Sequence, residues 1–249
     1  TRRSSDLLDW SFADLSHVLT QLNSGATETI EHIKINDGIL EAIAKIKPIT
    51  ERLGLSHQDY DFITTSLVDK PVELGKFYGL AYLSENHLDF LANVETFREQ
   101  LDLSEKDLEN LIAAINQAWS SSEPLKIVVE TNPEKSKKIS NLTLEKLDVI
   151  RRFVFLAQKL NWSFETLAWL LVTDKATDIN GDFLVKISKI KQIQEKYHLQ
   201  FNPTHYQTLS GLIEPITKVP LTISDIFHVI ALSELFQITG WKIGRASCR

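Results

Sequence analysis

Two stretches of the chain, LDWSFADLSHVL at residues 8–19 and LNWSFETLAWLL at residues 160–171, share the tripeptide Trp-Ser-Phe and the same spacing of apolar residues. In both stretches a serine precedes a run in which apolar residues recur every three or four positions, which is the period of an amphipathic α-helix. A repeated segment of this kind predicts a chain that is built from duplicated helical units.

A second pair of matching stretches follows each copy. INDGILEAIAKIKPITERLGL begins at Ile35 and INGDFLVKISKIKQIQEKYHL begins at Ile179, and a weaker match starts at Tyr60 and Tyr206. The offsets between the copies differ slightly, which indicates that loops changed length while the helices kept theirs. We therefore predict a first helical unit at residues 1–119 and a second, truncated unit at residues 142–241.

The predicted helix starts follow one plan. An apolar residue precedes a Ser or Thr, and another apolar residue follows four positions further on. The hydroxyl can accept a hydrogen bond from a backbone N–H of the first turn, which contributes about 1 kcal/mol, and the two apolar residues can pack on each other. The predicted caps are Ser11, Ser56, Ser104, Thr143, Ser163 and Thr222. Helix starts are also expected at Pro71, Pro203 and Pro220, whereas Pro48 is expected to kink or end a helix.

These patterns predict an all-α fold, an elongated array of helices with one short strand near residues 126–130. That strand, Lys-Ile-Val-Val-Glu, lies in a Ser- and Pro-bearing stretch, residues 120–141, which we interpret as a linker or insertion. The lysines at 135, 137 and 138 in the same stretch are expected to lie in a solvated loop.

Composition excludes several classes of protein. The chain has 249 residues, of which 43% are hydrophobic and 24% charged, and its net charge of -6 gives no electrostatic case for nucleic-acid binding. No run approaches the roughly 20 apolar residues of a membrane span, and no signal peptide is visible. Because the chain contains no Met, we expect it to be an internal piece of a longer protein.

The C-terminal residues need a separate interpretation. Residues 243–249 resemble the translation of a common sequencing adapter, so we expect the native sequence to end near Trp241 and residues 242–249 to be an artefact. Cys248, the only cysteine, would then not be native. We consequently expect neither a disulfide nor thiol chemistry.

No motif for catalysis or cofactor binding is present. The phosphate-binding, dinucleotide-binding, nucleophile-elbow and zinc-protease patterns are all missing from the sequence. Weak candidates remain: the pair Glu195 and His198 as metal ligands, Tyr60 and Tyr206 as acid–base groups, Asn141 and Asn161 as glycosylation sites, and the tryptophans at 10, 162, 169 and 241 as a platform for a sugar or base. Each is more simply explained by packing, capping or surface exposure. We predict no enzyme activity and no catalytic, cofactor-binding or metal-binding residue.

One segment resembles a known family. LTLEKLDVIRRFVFLAQKLNWSFETLAWLL, residues 142–171, resembles the repeated helical segments of the large A component of Tc insecticidal toxin complexes. The matching positions are Leu142, Thr143, Leu147, Arg151, Arg152, Leu156, Ala157, Leu160, Trp162, Ser163, Leu167 and Leu170. Residues 221–241 repeat this spacing, and residues 8–19 resemble the end of an earlier copy. The chain departs from the family pattern at Ile150, where Tyr is common, and at Thr166, where Glu is expected.

The resemblance implies a fragment of the α-helical shell of a secreted, homopentameric, pore-forming toxin component. Such a shell carries no chemistry of its own, because the toxic enzyme travels in the partner B and C components. The regions that bind host receptors and enter the membrane would lie outside this fragment. An alternative that the sequence leaves open is a helical-repeat scaffold for protein interactions that is unrelated to toxins.

Overall fold

A computed structural model describes Leu15, Ser16, Val18 and Leu19, then residues 37–119, 121–130 and 136–197, with only the backbone described at residues 38, 39 and 193–197. This part of the chain is mostly helical and contains one small two-stranded sheet, which confirms the predicted fold class. The helices are α1 (Asp37–Leu53), α2 (His57–Thr64), α3 (Pro71–Phe77), α4 (Leu88–Ala92), α5 (Val94–Leu101), α6 (Glu105–Ala118), α7 (Leu144–Leu160), α8 (Phe164–Asp174) and α9 (Gly181–Tyr197). A 3₁₀ turn at Glu85–His87 precedes α4, and the strands are β1 (Lys126–Val129) and β2 (Lys137–Ser140).

Four of the six predicted caps lie within the described residues, and all four are confirmed. Ser56, Ser104, Thr143 and Ser163 each accept a hydrogen bond from the backbone N–H three residues further on. At α2 the arrangement is reciprocal, since the carboxylate of Asp59 also accepts from the N–H of Ser56. Two of the predicted caps, Ser11 and Thr222, lie outside the described residues. These hydroxyls satisfy backbone donors that the helix itself leaves unpaired.

The prolines behave differently from one another. Pro71 is at the first position of α3, as predicted, because a helix leaves that N–H unpaired in any case. Pro48 lies inside α1, and the helix continues past it to Leu53. Pro48 therefore does not end the helix, and the alternative, that it kinks the helix, stays a prediction. The other two predicted proline starts lie outside the described residues.

Several helices end at a residue in the left-handed region. Asp102, Asn161 and Lys175, the residues after α5, α7 and α8, have φ values of 51°, 53° and 53°. In this conformation the N–H of the terminal residue turns back toward the last carbonyls of the helix. Sharp ends of this kind let consecutive helices fold back within a few residues.

The two strands form a hairpin in the stretch that the sequence marks as a linker or insertion. The strands are antiparallel, with Ile127 opposite Ile139 and Val129 opposite Lys137, so the predicted strand at 126–130 is confirmed and β2 is an addition to it. Ile139 and the neighbouring Leu125 are buried in the main core. The hairpin is thus attached to the helices by its apolar face.

A single large core connects the helices. It contains buried side chains from α1 to α9 and from the hairpin. Within it α6 packs against α8, α2 against α7, and α1 against α9. The last pair is notable because α1 and α9 are the two copies of the duplicated stretch. Ile43 and Ile46 of α1 are buried like their equivalents in α9, Ile187 and Ile190.

The copies differ at one apolar position. Leu40 of α1 is 53% exposed, whereas its equivalent in α9, Leu184, is fully buried. Val18 and Leu19, which correspond to buried residues of α8, pack with Ile43 in a second, smaller cluster. Equivalent helices thus occupy different environments, although their sequences match.

The caps generate a prediction about stability. Replacing Ser104 by Ala removes the oxygen that accepts from the N–H of Asp107 at 3.1 Å. We expect the free energy of unfolding, measured by urea denaturation, to fall by about 1 kcal/mol. Ser104→Asn is the matched control, because it keeps a side-chain acceptor and should stay close to the unmodified protein. An equal loss in both variants would contradict the capping role.

Candidate functional site

The most unusual feature of the interior is a cluster of charged residues on α7. Asp148 and Arg151 are only 1% and 0% exposed, and Arg152 is buried beside them. Spacings of three and four residues place all three side chains on one face of the helix. Charged groups are buried this deeply only when they are paired and hydrogen-bonded. We call these three residues the buried charge cluster.

The carboxylate of Asp148 is the centre of the cluster. Its Oδ1 accepts from the Nε and Nη2 of Arg151, at 3.1 and 2.7 Å. The same oxygen accepts from the backbone N–H of Leu67, at 3.0 Å. Its Oδ2 lies 3.2 Å from Nε of Arg152, a charge contact without the alignment of a hydrogen bond. One carboxylate therefore balances two guanidinium groups and also fixes the loop after α2.

Arg151 reaches from α7 to the end of α2. Its Nη1 donates to the carbonyl of Phe62, and its Nη2 donates to the carbonyl of Thr65 at 2.8 Å. The guanidinium also lies over the ring of Phe62, 4.3 Å from its centroid. A helix leaves its last carbonyls unpaired and carries partial negative charge at that end. Arg151 therefore acts as the C-terminal cap of α2, supplied by another helix.

Arg152 extends the same network toward α9. Its Nη1 donates to Oδ1 of Asp178 at 2.7 Å, and that oxygen also accepts from the N–H of Ile179 at 2.8 Å. Asp178 lies in the loop between α8 and α9. The buried charge cluster thus links α7 to the loop after α2 and to the loop before α9.

Tyr78, the residue after α3, completes the environment. Its side chain is fully buried and its hydroxyl donates to the carbonyl of Leu147 at 2.6 Å. Burial raises the pKa of the Tyr78 phenol well above its ordinary value; Arg151 opposes this shift and Asp148 adds to it. Burial also lowers the pKa of Arg151, and the hydrogen bond to Asp148 opposes that change. These shifts follow from exclusion of water around a paired set of groups.

The chemistry of the cluster is that of a structural support. The polar groups described above are hydrogen-bonded within the chain, apart from Nε of Arg152, which has only its charge contact with Asp148, and the central side chains are out of reach of solvent. A catalytic acid, base or nucleophile must contact a substrate. Asp148 and Arg151 therefore do not have the accessibility that catalysis requires.

Two clefts offer more access to solvent. The first, of about 570 Å³, lies between α1, α2 and α9 and is lined by Lys45, Tyr60, Asp61 and Asp182 among others. Burial raises the pKa of Tyr60, and the carboxylates of Asp182 and Asp61 raise it further. A phenol whose pKa lies above the ordinary value is a poorer general base at neutral pH. The position of Tyr60 does not favour an acid–base role.

Gly181 explains part of the shape of the first cleft. A Cβ at this position would lie 2.7 Å from the hydroxyl of Tyr60. The equivalent residue in the first copy is Asp37, at the start of α1. Glycine at the start of α9 thus allows the ring of Tyr60 to approach the backbone of that helix.

The second cleft, of about 550 Å³, brings together α6, α7 and the start of α8. Trp162 and Phe164 line it together with Asn110, Gln117 and Gln158. The indole of Trp162 and the ring of Phe164 are only half-buried and pack against the main core, as expected for residues that flank the Ser163 cap.

The other described candidates from the sequence end a helix or bind a neighbouring part of the chain. Asn161 ends α7, and the side-chain amide of Asn141 donates to the carbonyl of Pro124 at 2.9 Å. The predicted solvated loop is wrong for Lys137 and Lys138, which lie in β2 and form ion pairs with Glu105 and Glu130. The structure does not describe the candidate side chains at positions 10, 135, 195, 198, 206, 241 and 248. Among the described residues no group of His, Cys, Asp and Glu could hold a metal ion.

Comparison with known proteins does not assign the chain. No family model, no curated protein and no solved structure matches it. Within the described ranges no helix is both long and apolar enough to cross a membrane.

The first prediction from the cluster concerns Asp148. Asp148→Ala leaves two buried guanidinium groups without their carboxylate, and we expect the free energy of unfolding to fall by about 3–5 kcal/mol. Gln158→Ala, at an exposed position of the same helix, is the control and should change stability by less than about 0.5 kcal/mol. The double variant Asp148→Ala/Arg151→Met should lose less than the single one. A larger loss in the double variant would contradict this account.

The second prediction concerns alkaline pH. The Tyr78 phenol stays neutral in the folded protein and ionises near pH 10.0 when the chain unfolds. Its contribution to stability is complete below that pH and is lost as the pH rises further. In Tyr78→Phe the free energy of unfolding should fall less steeply above pH 10, by up to about 1.4 kcal/mol per pH unit. Urea denaturation between pH 8 and 11 measures this, and identical slopes would contradict it.

Proposed function

We propose that the chain is a structural segment of the α-helical shell of a Tc-toxin-like A subunit, a pore-forming component that delivers a toxic partner into host cells. The observation that carries the proposal is the packing of α1 against α9, the two copies of one duplicated helix. A wall that is assembled from repeated helices requires such copies to pack on one another. The resemblance of residues 142–171 to the repeated shell segments supports the choice of this family.

The buried charge cluster supports a rigid structural role. It anchors α7, the best-matching helix of the resemblance, to the chain segments after α2 and before α9. Breaking a buried ion pair is costly, so such contacts oppose sliding of one helix along another. A segment that surrounds a channel has to resist deformation in this way.

The side chains that could perform chemistry support the same proposal. In the parts of the chain described above, the polar groups of the buried charge cluster bind other protein groups, and the tryptophan of the repeated motif packs beside a helix cap. The proposal therefore assigns no catalytic residue, no cofactor and no metal to this segment. Any toxic activity would belong to the B and C components.

The proposal includes partners and a location. The full A subunit would be a secreted homopentamer that binds B and C components, and host receptors would be bound by regions outside residues 1–249. These statements rest on the resemblance alone.

The decisive experiment is electron microscopy of the full-length gene product, purified with the products of neighbouring genes. We expect five-fold particles in which α1–α9 fit into the wall around a channel, and we expect a neighbouring B- or C-type gene. A monomer of moderate length with polar capping repeats would contradict the toxin assignment and favour the helical-repeat scaffold. The fit of α1–α9 to the density is an internal control, since it tests the fold independently of the oligomer.

A further inference from the structure

The hairpin has one strand edge that no described residue covers. β2 is the inner strand of the hairpin. One of its edges pairs with β1, and at its other edge Lys138 forms an isolated bridge with Asn93. β1 is therefore the outer strand. The N–H of Glu130 donates to the carbonyl of Ser136 at 2.8 Å. Because these bonds alternate along an antiparallel strand, the backbone N–H and C=O groups of Lys126 and Val128 point toward β2. The backbone groups of Ile127 and Val129 consequently point away from the sheet.

Among the described residues, this edge is covered at its first position only. The side-chain amide of Asn116 accepts from the N–H of Leu125 at 2.9 Å and donates to its carbonyl at 2.8 Å. This is the pairing that a neighbouring strand would provide. Beyond it, Val128 and Val129 are 42% and 58% exposed. Exposed apolar edges of this kind pair readily with other strands.

The charges at the ends of β1 select a partner. In an antiparallel pair of two β1 strands centred on Val128, Ile127 faces Val129 of the other copy and exchanges both hydrogen bonds with it. Lys126 then lies opposite Glu130 of the other copy, twice. Opposite charges at facing positions stabilise a strand pair, and like charges destabilise it. A parallel pair would bring like charges together. A shift by two residues would lose the opposite-charge pairs, because it places either Lys126 or Glu130, depending on its direction, opposite Val128.

We propose that the edge of β1 is a self-association site, at which two copies of this chain pair their β1 strands antiparallel about Val128. The contact is two-fold and does not depend on the proposed function. Since a two-fold contact cannot close a five-fold ring, it would join copies that belong to separate assemblies. The short strands bury far less than the roughly 1,000 Å² of a stable interface, so the association is weak and concentration-dependent.

A cysteine at the two-fold axis tests the register. In a Cys248→Ser background, Val128→Cys places two thiols at a non-hydrogen-bonded pair, where the Cα atoms of facing residues are about 4.5 Å apart. We expect disulfide-linked dimers to form several-fold faster than for Val172→Cys in the same background, whose position is 43% exposed on α8. Equal rates for the two variants would show random collision and would overturn the proposal.

Charge reversal tests the partner. Lys126→Glu alone and Glu130→Lys alone each create like-charge pairs between copies, and both variants should sediment as monomers at up to about 1 mM, where weak association of the unmodified chain is populated. Because Glu130 also pairs with Lys138 of its own hairpin, circular dichroism of Glu130→Lys must match that of the unmodified chain for the comparison to count. Mixing the two variants restores both opposite-charge pairs, so heterodimers should appear. A monomeric unmodified chain, or a mixture that stays monomeric, would overturn the proposal.

A third variant separates association from folding. Val129→Pro removes an N–H that points away from β2, so the hairpin keeps its own hydrogen bonds. Its circular dichroism should match that of the unmodified chain while its self-association is lost. Unchanged association in this variant would overturn the proposal.

Discussion

The rest of the structure depends on the contacts of the buried Asp148 carboxylate. It is buried with two arginines, and each of its partners holds a different part of the chain. Without it, the backbone N–H of Leu67 would lose its acceptor and Arg151 would be left charged in a site without water. The apolar core supplies most of the attraction between the helices, but that attraction has no direction. The cluster adds contacts that are satisfied in only one arrangement of α2, α7 and α9.

The duplication explains why such a device is useful here. Helices with matching sequences, such as α1 and α9, have similar apolar faces, so several packings of nearly equal energy compete. Leu40 and Leu184 show the difficulty, since the same residue is exposed in one copy and buried in the other. The cluster lies on α7, outside the stretches that the duplication makes alike. Its polar contacts therefore add a distinction that the shared apolar pattern does not provide, in the way that single polar groups fix register in coiled coils.

The local structure could be predicted from the sequence, and the tertiary contacts could not. Caps such as Ser56 and Ser163 act within a few residues, so their signal is complete in the sequence. β2 escaped prediction because Lys-Lys-Ile-Ser has little apolar alternation, and only its pairing with β1 makes it a strand. Pro48 does not end α1, because the surrounding helix contacts outweigh the loss of one hydrogen bond. For the cluster, the spacing of Asp148, Arg151 and Arg152 beside an apolar stripe was a visible signal. The carbonyls of Phe62 and Thr65, which justify burying a guanidinium, lie more than eighty residues away along the chain.

The interior of this protein and the edge of β1 differ in how their polar groups are paired. In the cluster, donors and acceptors are matched within the chain except at Nε of Arg152, so the charged groups are the ones least available to a partner. At β1 the situation is reversed, because Asn116 satisfies Leu125 and the next outward-facing backbone groups meet no described neighbour. Unpaired backbone groups beside exposed valines gain more from a partner strand than paired groups do from any ligand. Recognition by this segment is therefore expected at the hairpin edge, while α7 and its charges keep the helices in place.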